Sequence, residues 1–191
     1  MLLEADDHEL VLQCKEGDGR EDAFRLLLAK YEGYVYSLCH RSTDRREDAL
    51  ELAQDTWLRV FAGLSGFQVN RPFKPWLRKI TINVCLNFLR RAHPEILSLE
   101  NCPAPAAPEW DDPATLVQWT ETSRLLREAV ERLPPLHRLI LTLRHAEEMT
   151  YEQIADVTGF PLSMVKTYLF RARRSLRRTL AGAYGWEVTN G

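Results

Sequence analysis

Aromatic rings, amides and positive charges are interleaved between residues 67 and 91, with no carboxylate among them. Rings can stack on unpaired bases, amides can pair with base edges and cations can bind phosphates, a combination that suits single-stranded nucleic acid. The four-residue spacing of Trp76, Ile80, Val84 and Phe88 is equally typical of a helix core, but a core does not explain six basic and no acidic side chains in residues 61–94. The candidate ligands are Phe73, Trp76, Arg78, Lys79, Asn83, Asn87, Arg90 and Arg91.

A second basic segment lies near the end of the chain, in a pattern typical of a helix-turn-helix. Residues 150–153 match a capping box that begins a short helix, and Gly159 ends it. The helix predicted after Pro161 has an apolar face formed by Val165, Leu169, Ala172 and Leu176. Its other face holds Thr167, Phe170, Arg171, Arg174, Arg177 and Arg178, with Lys166 and Arg173 at the edges. Such a face suits the DNA major groove, whereas a merely solvent-exposed charged helix would normally alternate with Asp or Glu.

Residues 46–61 predict an amphipathic helix whose polar face contains an apolar side chain. At 100° per residue, the core face consists of Ala49, Ala53, Thr56 and Val60, flanked by Leu52 and Trp57. The opposite face holds Glu51, Gln54, Asp55 and Leu58. An exposed leucine within an acidic ring suits a basic protein partner, although a single surface leucine is also common in proteins without one.

No pattern of residues indicates catalysis, a metal site or a cofactor. Cys14, Cys39, Cys85 and Cys102 are scattered without a C-x-x-C pair, so Cys39 is predicted to be a buried structural residue beside a surface His40. We therefore expect no metal, no cofactor and no enzymatic activity. The sequence has no basic flank before an N-terminal apolar run and no stretch of about 18 apolar residues, so we expect a cytoplasmic protein without a signal peptide or direct membrane insertion.

The elements that carry these residues are predicted to be helical almost throughout. Apolar residues recur at three- and four-residue spacing and alternating β-branched runs are missing, which predicts an all-α fold. Five prolines interrupt residues 94–114, which favours an extended linker between two small helical domains. We predict a first domain at residues 1–93, an acidic Pro/Ala-rich linker at 94–123, a second domain containing the helix-turn-helix at 124–182, and a tail at 183–191.

The distribution of charge is more informative than its total. The formal net charge is −2. However, residues 61–94 carry six basic side chains and no acidic one, and residues 161–191 carry six basic side chains and one acidic one. The segments between and before these blocks are acidic or nearly neutral. A polyanion is therefore expected to bind at two separate places, unless both blocks are simply solvated faces.

Three of these segments resemble, in the same order, the motifs of the extracytoplasmic-function sigma factors of bacterial RNA polymerase. The first, D-A-L-E-L-A-Q-D-T-W-L-R-V-F at residues 48–61, is similar to the helix that binds the polymerase clamp. The aromatic and basic string from Phe67, with W-L, I, N and L-R-R, is similar to the promoter-melting segment. The third, M-T-Y-E-Q-I-A-D-V-T-G-F-P-L-S-M-V-K-T-Y-L-F-R-A-R-R-S-L at residues 149–176, is similar to the C-terminal helix-turn-helix of the family.

This resemblance implies three binding surfaces. The clamp coiled coil would be bound by Leu50, Glu51, Gln54, Asp55, Trp57 and Leu58. Asn83 and Trp76, with the loop of Asn70, Arg71 and Phe73, would hold a flipped base of the minus-ten element, because extrusion costs a few kcal/mol and requires a stacking pocket. The minus-thirty-five duplex would be read by Ser163, Lys166, Thr167, Tyr168, Phe170, Arg171 and Arg174.

Three positions differ from what is usual in the family. Ser163-Met164 stands where Gly-Thr is common, Tyr168 where arginine or another polar residue is usual, and Asn87 where aspartate is frequent. The promoter sequence can therefore not be copied from similar proteins.

The resemblance also implies partners. They are core RNA polymerase, through its clamp and flap, promoter DNA in duplex and single-stranded form, and an anti-sigma factor, free or membrane-anchored, that hides these surfaces until a stress or other signal arrives. Two other functions stay open on the residues alone. A stand-alone helix-turn-helix regulator would bind duplex DNA without polymerase, and a protein-only adaptor would leave both basic blocks unused.

Overall fold

A computed structural model describes residues 6–16, 19–92 and 123–184 of the chain. Within these ranges the regular structure consists of eight α-helices and one 3₁₀ turn, with no strand, which confirms the predicted all-α fold. The chain divides into two compact units on either side of residue 93. Almost all of the predicted linker at 94–123 and most of the predicted tail at 183–191 lie outside the described residues; α5 begins at Ser123 and α8 ends at Tyr184.

The first unit is built around its second helix. It contains α1 (Asp7–Glu16), α2 (Arg20–Arg41), α3 (Arg46–Gly63), the 3₁₀ turn (Leu64–Gly66) and α4 (Phe73–Ala92). Helix α2 packs against α1, α3 and α4. The apolar stripe of α2 is buried against the apolar stripes of these three helices. The core of the unit includes Leu27, Val35, Leu38, Val60, Leu77 and Ile82.

Two buried threonines in the helices of this unit each have a hydrogen-bond partner. The hydroxyls of Thr56 and Thr81 donate to the carbonyls of Leu52 (2.8 Å) and Leu77 (2.9 Å), one turn earlier in the same helix. Helix α3 buries Leu52 rather than Ala53, which is half-buried, so the core arc lies slightly to one side of the predicted one.

The cysteines of the first unit are structural. Cys39 and Cys85 are fully buried with their Sγ atoms 4.0 Å apart, and Cys14 is also buried. His40, the neighbour of Cys39, is exposed. Both placements confirm the prediction of a buried cysteine beside a surface histidine.

The second unit packs three short helices against one long one. It contains α5 (Ser123–Glu131), α6 (Pro135–His145), α7 (Tyr151–Thr158) and α8 (Leu162–Tyr184), and α8 contacts the other three. Its core includes Leu136, Leu139, Leu143, Ile154, Val165 and Leu169. None of the helices that the structure describes is long and apolar enough to span a membrane.

The turn between α7 and α8 forms as the sequence predicted. Thr150 Oγ1 accepts the Gln153 N–H (3.2 Å) and the Gln153 side chain accepts the Thr150 N–H (2.8 Å), which completes the capping box. Gly159 ends α7 at φ +72°, a left-handed conformation that a side chain would strain. Pro161 then allows α8 to begin at once, which gives the short connection of a helix-turn-helix.

Candidate nucleic-acid and protein-binding surfaces

The exposed face of α4 carries most of the residues that the sequence predicted for single-stranded nucleic acid. Lys79, Asn83, Asn87 and Arg90 follow at four- and three-residue spacing, and all four are exposed. Arg90 donates a hydrogen bond to Asn87 Oδ1 (3.3 Å), and Arg91 Nε donates to the Asn87 carbonyl (3.3 Å). This face presents amide groups between cations, so it can contact base edges and phosphates at the same time.

Trp76 lies at the beginning of this face and is held firmly on one side. Its half-buried ring lies 4.7 Å from the ring centroid of Phe67 and 5.7 Å from that of Phe73. A Cβ at Gly63 would lie 3.1 Å from Trp76 Cζ2, a tight contact, so glycine at the end of α3 leaves the indole room to pack there. The other side of the ring is partly exposed. Trp76 precedes Asn83 by seven residues, so the two side chains lie on the same side of the helix.

Two predicted ligands do not join this face. Phe73 is only 2% exposed and its ring packs between Tyr31 (5.6 Å) and Phe67 (6.0 Å), so it is a core residue and offers no stacking surface. Arg78 is half-buried and lies five residues before Asn83, which is about 140° around the helix. The aromatic and basic composition of the segment carries no information about which helix face each residue occupies.

The segment between the 3₁₀ turn and α4 borders a cavity of about 470 Å³. A hydrogen bond from the Arg71 N–H to the Gln68 carbonyl (3.0 Å) forms a turn within this segment, which exposes Asn70 and Arg71. This segment forms one wall of the cavity, and α1 contributes another through His8 and Val11. The volume of the cavity falls within the range of small-molecule sites.

The exposed face of α3 has a different chemistry. Leu50 is 45% and Leu58 71% exposed, and they lie on one stripe with the exposed Gln54 between them. Glu51 is exposed beside this stripe, and Asp55 forms an ion pair with Arg59 (3.1 Å). Large exposed apolar side chains within a polar rim are typical of a protein interface.

Aromatic residues extend this face towards α2. Trp57 is half-buried and meets the Phe24 ring edge-on at 5.9 Å. Phe61, which the sequence analysis did not select, is 43% exposed, lies 5.1 Å from Phe24 and has the Arg20 guanidinium 4.7 Å above its ring. Its position three residues after Leu58 is the signal that could have identified it.

Helix α8 exposes a continuous polar and basic stripe. Ser163, Lys166 and Arg174 are exposed, and Thr167, Phe170 and Arg171 are half-exposed. Thr167 Oγ1 donates to the Ser163 carbonyl (2.9 Å), which holds this hydroxyl against the first turn. The opposite face buries Val165, Leu169, Ala172 and Leu176, as the periodicity predicted.

Tyr168 is the one predicted ligand of duplex DNA that α8 does not expose. It is 2% exposed, and its ring lies 5.4 Å from that of His137 and 5.9 Å from that of Phe160. The physical reason is helix phase, because a residue two positions after Lys166 points about 200° away from it. Tyr168 therefore supports α8 from behind and is not part of this exposed stripe.

The burial of His137 makes the stability of the second unit dependent on pH. Burial lowers the pKa of His137 from 6.5 to about 4, and the positive charge of Arg171 adds to this effect. The unfolded chain binds a proton below about pH 6.5 that the folded chain does not, so stability is lost as the pH falls from about 6.5 towards 4. After allowance for partial exposure, we expect a loss of about 2 kcal/mol.

Thermal unfolding of the parent chain and of His137→Gln at pH 7.5, 6 and 4.5 checks this expectation. The parent should lose more stability than the variant over this range. Burial also lowers the pKa of His145, with Arg173 and Arg144 contributing, so some loss is common to both proteins. Parallel curves would contradict the assignment to His137.

Both units are similar to parts of known sigma factors. The family model for sigma-70 region 2 matches residues 27–94, and that for sigma-70 region 4 matches residues 123–176. The ECF RNA polymerase sigma factor SigW of Bacillus subtilis is 27% identical over 178 residues, which cover 89% of this chain and 94% of SigW. The RNA polymerase sigma factor YlaC of the same organism is 30% identical over 167 residues, which cover 87% of this chain and 94% of YlaC.

Two solved complexes contain chains with the same fold. CnrH, solved with the cytosolic domain of CnrY, has a TM-score of 0.55 and 24% identity, covering 92% of this chain and 97% of CnrH. The sigma factor RpoE of Bartonella quintana, solved with the anti-sigma factor NepR, has a TM-score of 0.55 and 21% identity, covering 82% of this chain and 96% of RpoE. The match to region 2 in addition to region 4 does not favour a stand-alone helix-turn-helix regulator.

Proposed function

The chain belongs to the extracytoplasmic-function sigma factors, the initiation factors that direct RNA polymerase to promoters, and we propose how its surfaces divide that work. The first unit docks on core polymerase and captures melted non-template DNA, and the second unit holds the upstream duplex. One observation carries the proposal: the fold exposes three helix faces with two kinds of chemistry, apolar and acidic on α3 and basic on both α4 and α8.

The face of α3 binds the clamp coiled coil of core polymerase. Leu50 and Leu58 supply exposed apolar area at its centre, and Glu51, Gln54 and Asp55 supply a polar and acidic rim for a basic partner. Trp57, which is also on α3, supports this face by packing against Phe24 of α2. DNA would be repelled by this rim, so the chemistry of α3 favours a protein ligand.

The cavity beside the loop of Asn70 and Arg71 receives a base flipped from the minus-ten element. Trp76 and Asn83 are not among the residues that line this cavity; they lie beside each other on one face of α4, where a ring and an amide are available to the same strand. Lys79, Arg90 and Arg91 follow along α4, where phosphates of the non-template strand can be neutralised. Melting is then favoured because the extruded base and its strand gain contacts that duplex DNA does not make.

The stripe on α8 enters the major groove of the minus-thirty-five element. Ser163, Lys166 and Thr167 lie in its first two turns, where a recognition helix reaches base edges. Arg171 and Arg174 lie one turn further along, where they can bind phosphates. Contact of this unit with the polymerase flap stays a prediction from the family.

We further propose that an anti-sigma factor, free or membrane-anchored, covers these surfaces before a stress or other signal releases them. This rests on the complex of RpoE with the anti-sigma factor NepR and on the exposed apolar stripe of α3, which is the kind of surface that a protein partner covers. Because the ligands are core polymerase and promoter DNA, the chain acts in the cytoplasm, as an initiation factor without catalytic activity or cofactor of its own.

Transcription in vitro tests the function directly. Purified core polymerase is supplied with a library of genomic fragments, with and without this protein. We expect discrete new start sites that depend on the protein, and their upstream sequences would define the promoter. Duplex binding by the isolated protein without any new transcript would contradict the proposal and favour a regulator that acts without polymerase.

A further inference from the structure

Two side chains of helix α1 contact backbone carbonyls of the loop that borders the cavity. Lys15 Nζ donates to the Phe67 carbonyl at 2.8 Å, and His8 Nδ1 lies 3.1 Å from the Val69 carbonyl. A carbonyl only accepts, so Nδ1 of His8 carries the proton in this contact. His8, Val11 and Lys15 share one face of α1, at three- and four-residue spacing, and this face lies against the loop.

The other side of α1 is fixed to the body of the unit. Asp7 forms an ion pair with Lys30 of α2 (2.8 Å) and accepts a hydrogen bond from the Tyr31 hydroxyl. Leu10 and Cys14 are buried in the core. Burial, together with the bond to Asp7 and its negative charge, raises the pKa of Tyr31 well above its usual range, so this hydroxyl stays a donor at neutral pH. Helix α1 is therefore a rigid support, and the loop is what it supports.

We propose that Lys15 and His8 are positioning residues that hold the loop in the shape that accepts an extruded base of the non-template strand. The inference rests on the proposed function of this loop. The segment from Phe67 to Pro72 lacks regular secondary structure, so an unsupported loop would have to be ordered when the base enters. Contacts from α1 order it beforehand, which removes that entropic cost from base capture.

The test replaces Lys15 by methionine, which keeps the unbranched stem but removes the charge and the N–H donors. Reconstituted holoenzyme is titrated with a single-stranded non-template oligonucleotide that carries the minus-ten sequence found by transcription in vitro. We expect the affinity of Lys15→Met to fall by roughly five- to tenfold, the usual order for one charge-assisted hydrogen bond that is partly exposed. An oligonucleotide with 2-aminopurine at the extruded position should show weaker unstacking fluorescence at saturation.

Rescue and matched controls separate positioning from a general loss of structure. Lys15→Arg keeps a charged donor and should restore affinity to within about twofold. Arg25→Met removes a long cation from exposed ion pairs on α2 and should leave binding unchanged. Affinities for core polymerase and for minus-thirty-five duplex should be the same in all four proteins, and the melting temperature of Lys15→Met should fall by no more than the few degrees that one lost hydrogen bond implies.

Each result decides the proposal. Unchanged oligonucleotide binding by Lys15→Met overturns the positioning role. An equal loss in Lys15→Arg, or a parallel loss of polymerase binding and thermal stability, also overturns it, because Lys15 would then be an ordinary structural residue. If the parent holoenzyme shows no 2-aminopurine signal, the proposed function of the loop fails and this inference fails with it.

Discussion

A Glu51→Arg, Gln54→Ala double variant is expected to lose about 100-fold or more of its affinity for core polymerase while folding normally. Both side chains are exposed on α3, so the substitutions leave the core intact. The arginine would meet a basic partner at the rim of the apolar stripe, and like charges in an interface cost several kcal/mol. Fluorescence anisotropy of the labelled full-length chain, titrated with core polymerase, measures the loss.

Two further variants define what the result means. Leu58→Ala removes the most exposed apolar side chain of the stripe and should weaken polymerase binding about tenfold or more, because central apolar anchors carry a large share of interface energy. Glu32→Arg makes the same change of charge at an exposed position of α2 and should have little effect. If the double variant and Glu32→Arg bind polymerase equally well, α3 is not the docking surface.

Much of this architecture follows from local pattern. The capping box at Thr150 and the stop at Gly159 depend only on residues within a few positions, and both form as predicted. The buried face of α8 follows from periodicity over three turns. The exposed leucine of α3 was also predictable, because Leu58 falls outside the arc that packing requires.

The errors have a common physical origin. Phe73 was assigned to DNA from the composition of its segment and Tyr168 from the resemblance to the family, but both side chains complete a core whose other members come from distant segments. Composition can suggest a binding segment, whereas helix phase and long-range packing decide which of its aromatic rings reach the surface. The two contacts of α1 with the loop are beyond sequence reasoning for the same reason, since they join residues 52 and 61 positions apart.

An Arg171→Glu, Arg174→Glu double variant of α8 is expected to lose about 100-fold or more of its affinity for minus-thirty-five duplex at physiological salt. Arg174 is exposed and Arg171 half-exposed on the stripe that carries Lys166, so reversal of both charges turns phosphate attraction into repulsion. The dependence of log affinity on log salt should also become shallower, by about 2 for two lost phosphate contacts. Anisotropy of the full-length chain with labelled duplex at several salt concentrations gives both quantities.

The controls distinguish contact from support. Arg132→Glu reverses an exposed charge outside α8 and should change neither the affinity nor the salt slope appreciably. Tyr168→Phe alters a buried ring and should keep the promoter preference of the parent, whereas Thr167→Ala, within the stripe, should change it. A shifted preference in Tyr168→Phe, with Thr167→Ala unchanged, would mean that α8 meets DNA through a different face from the one that the fold exposes.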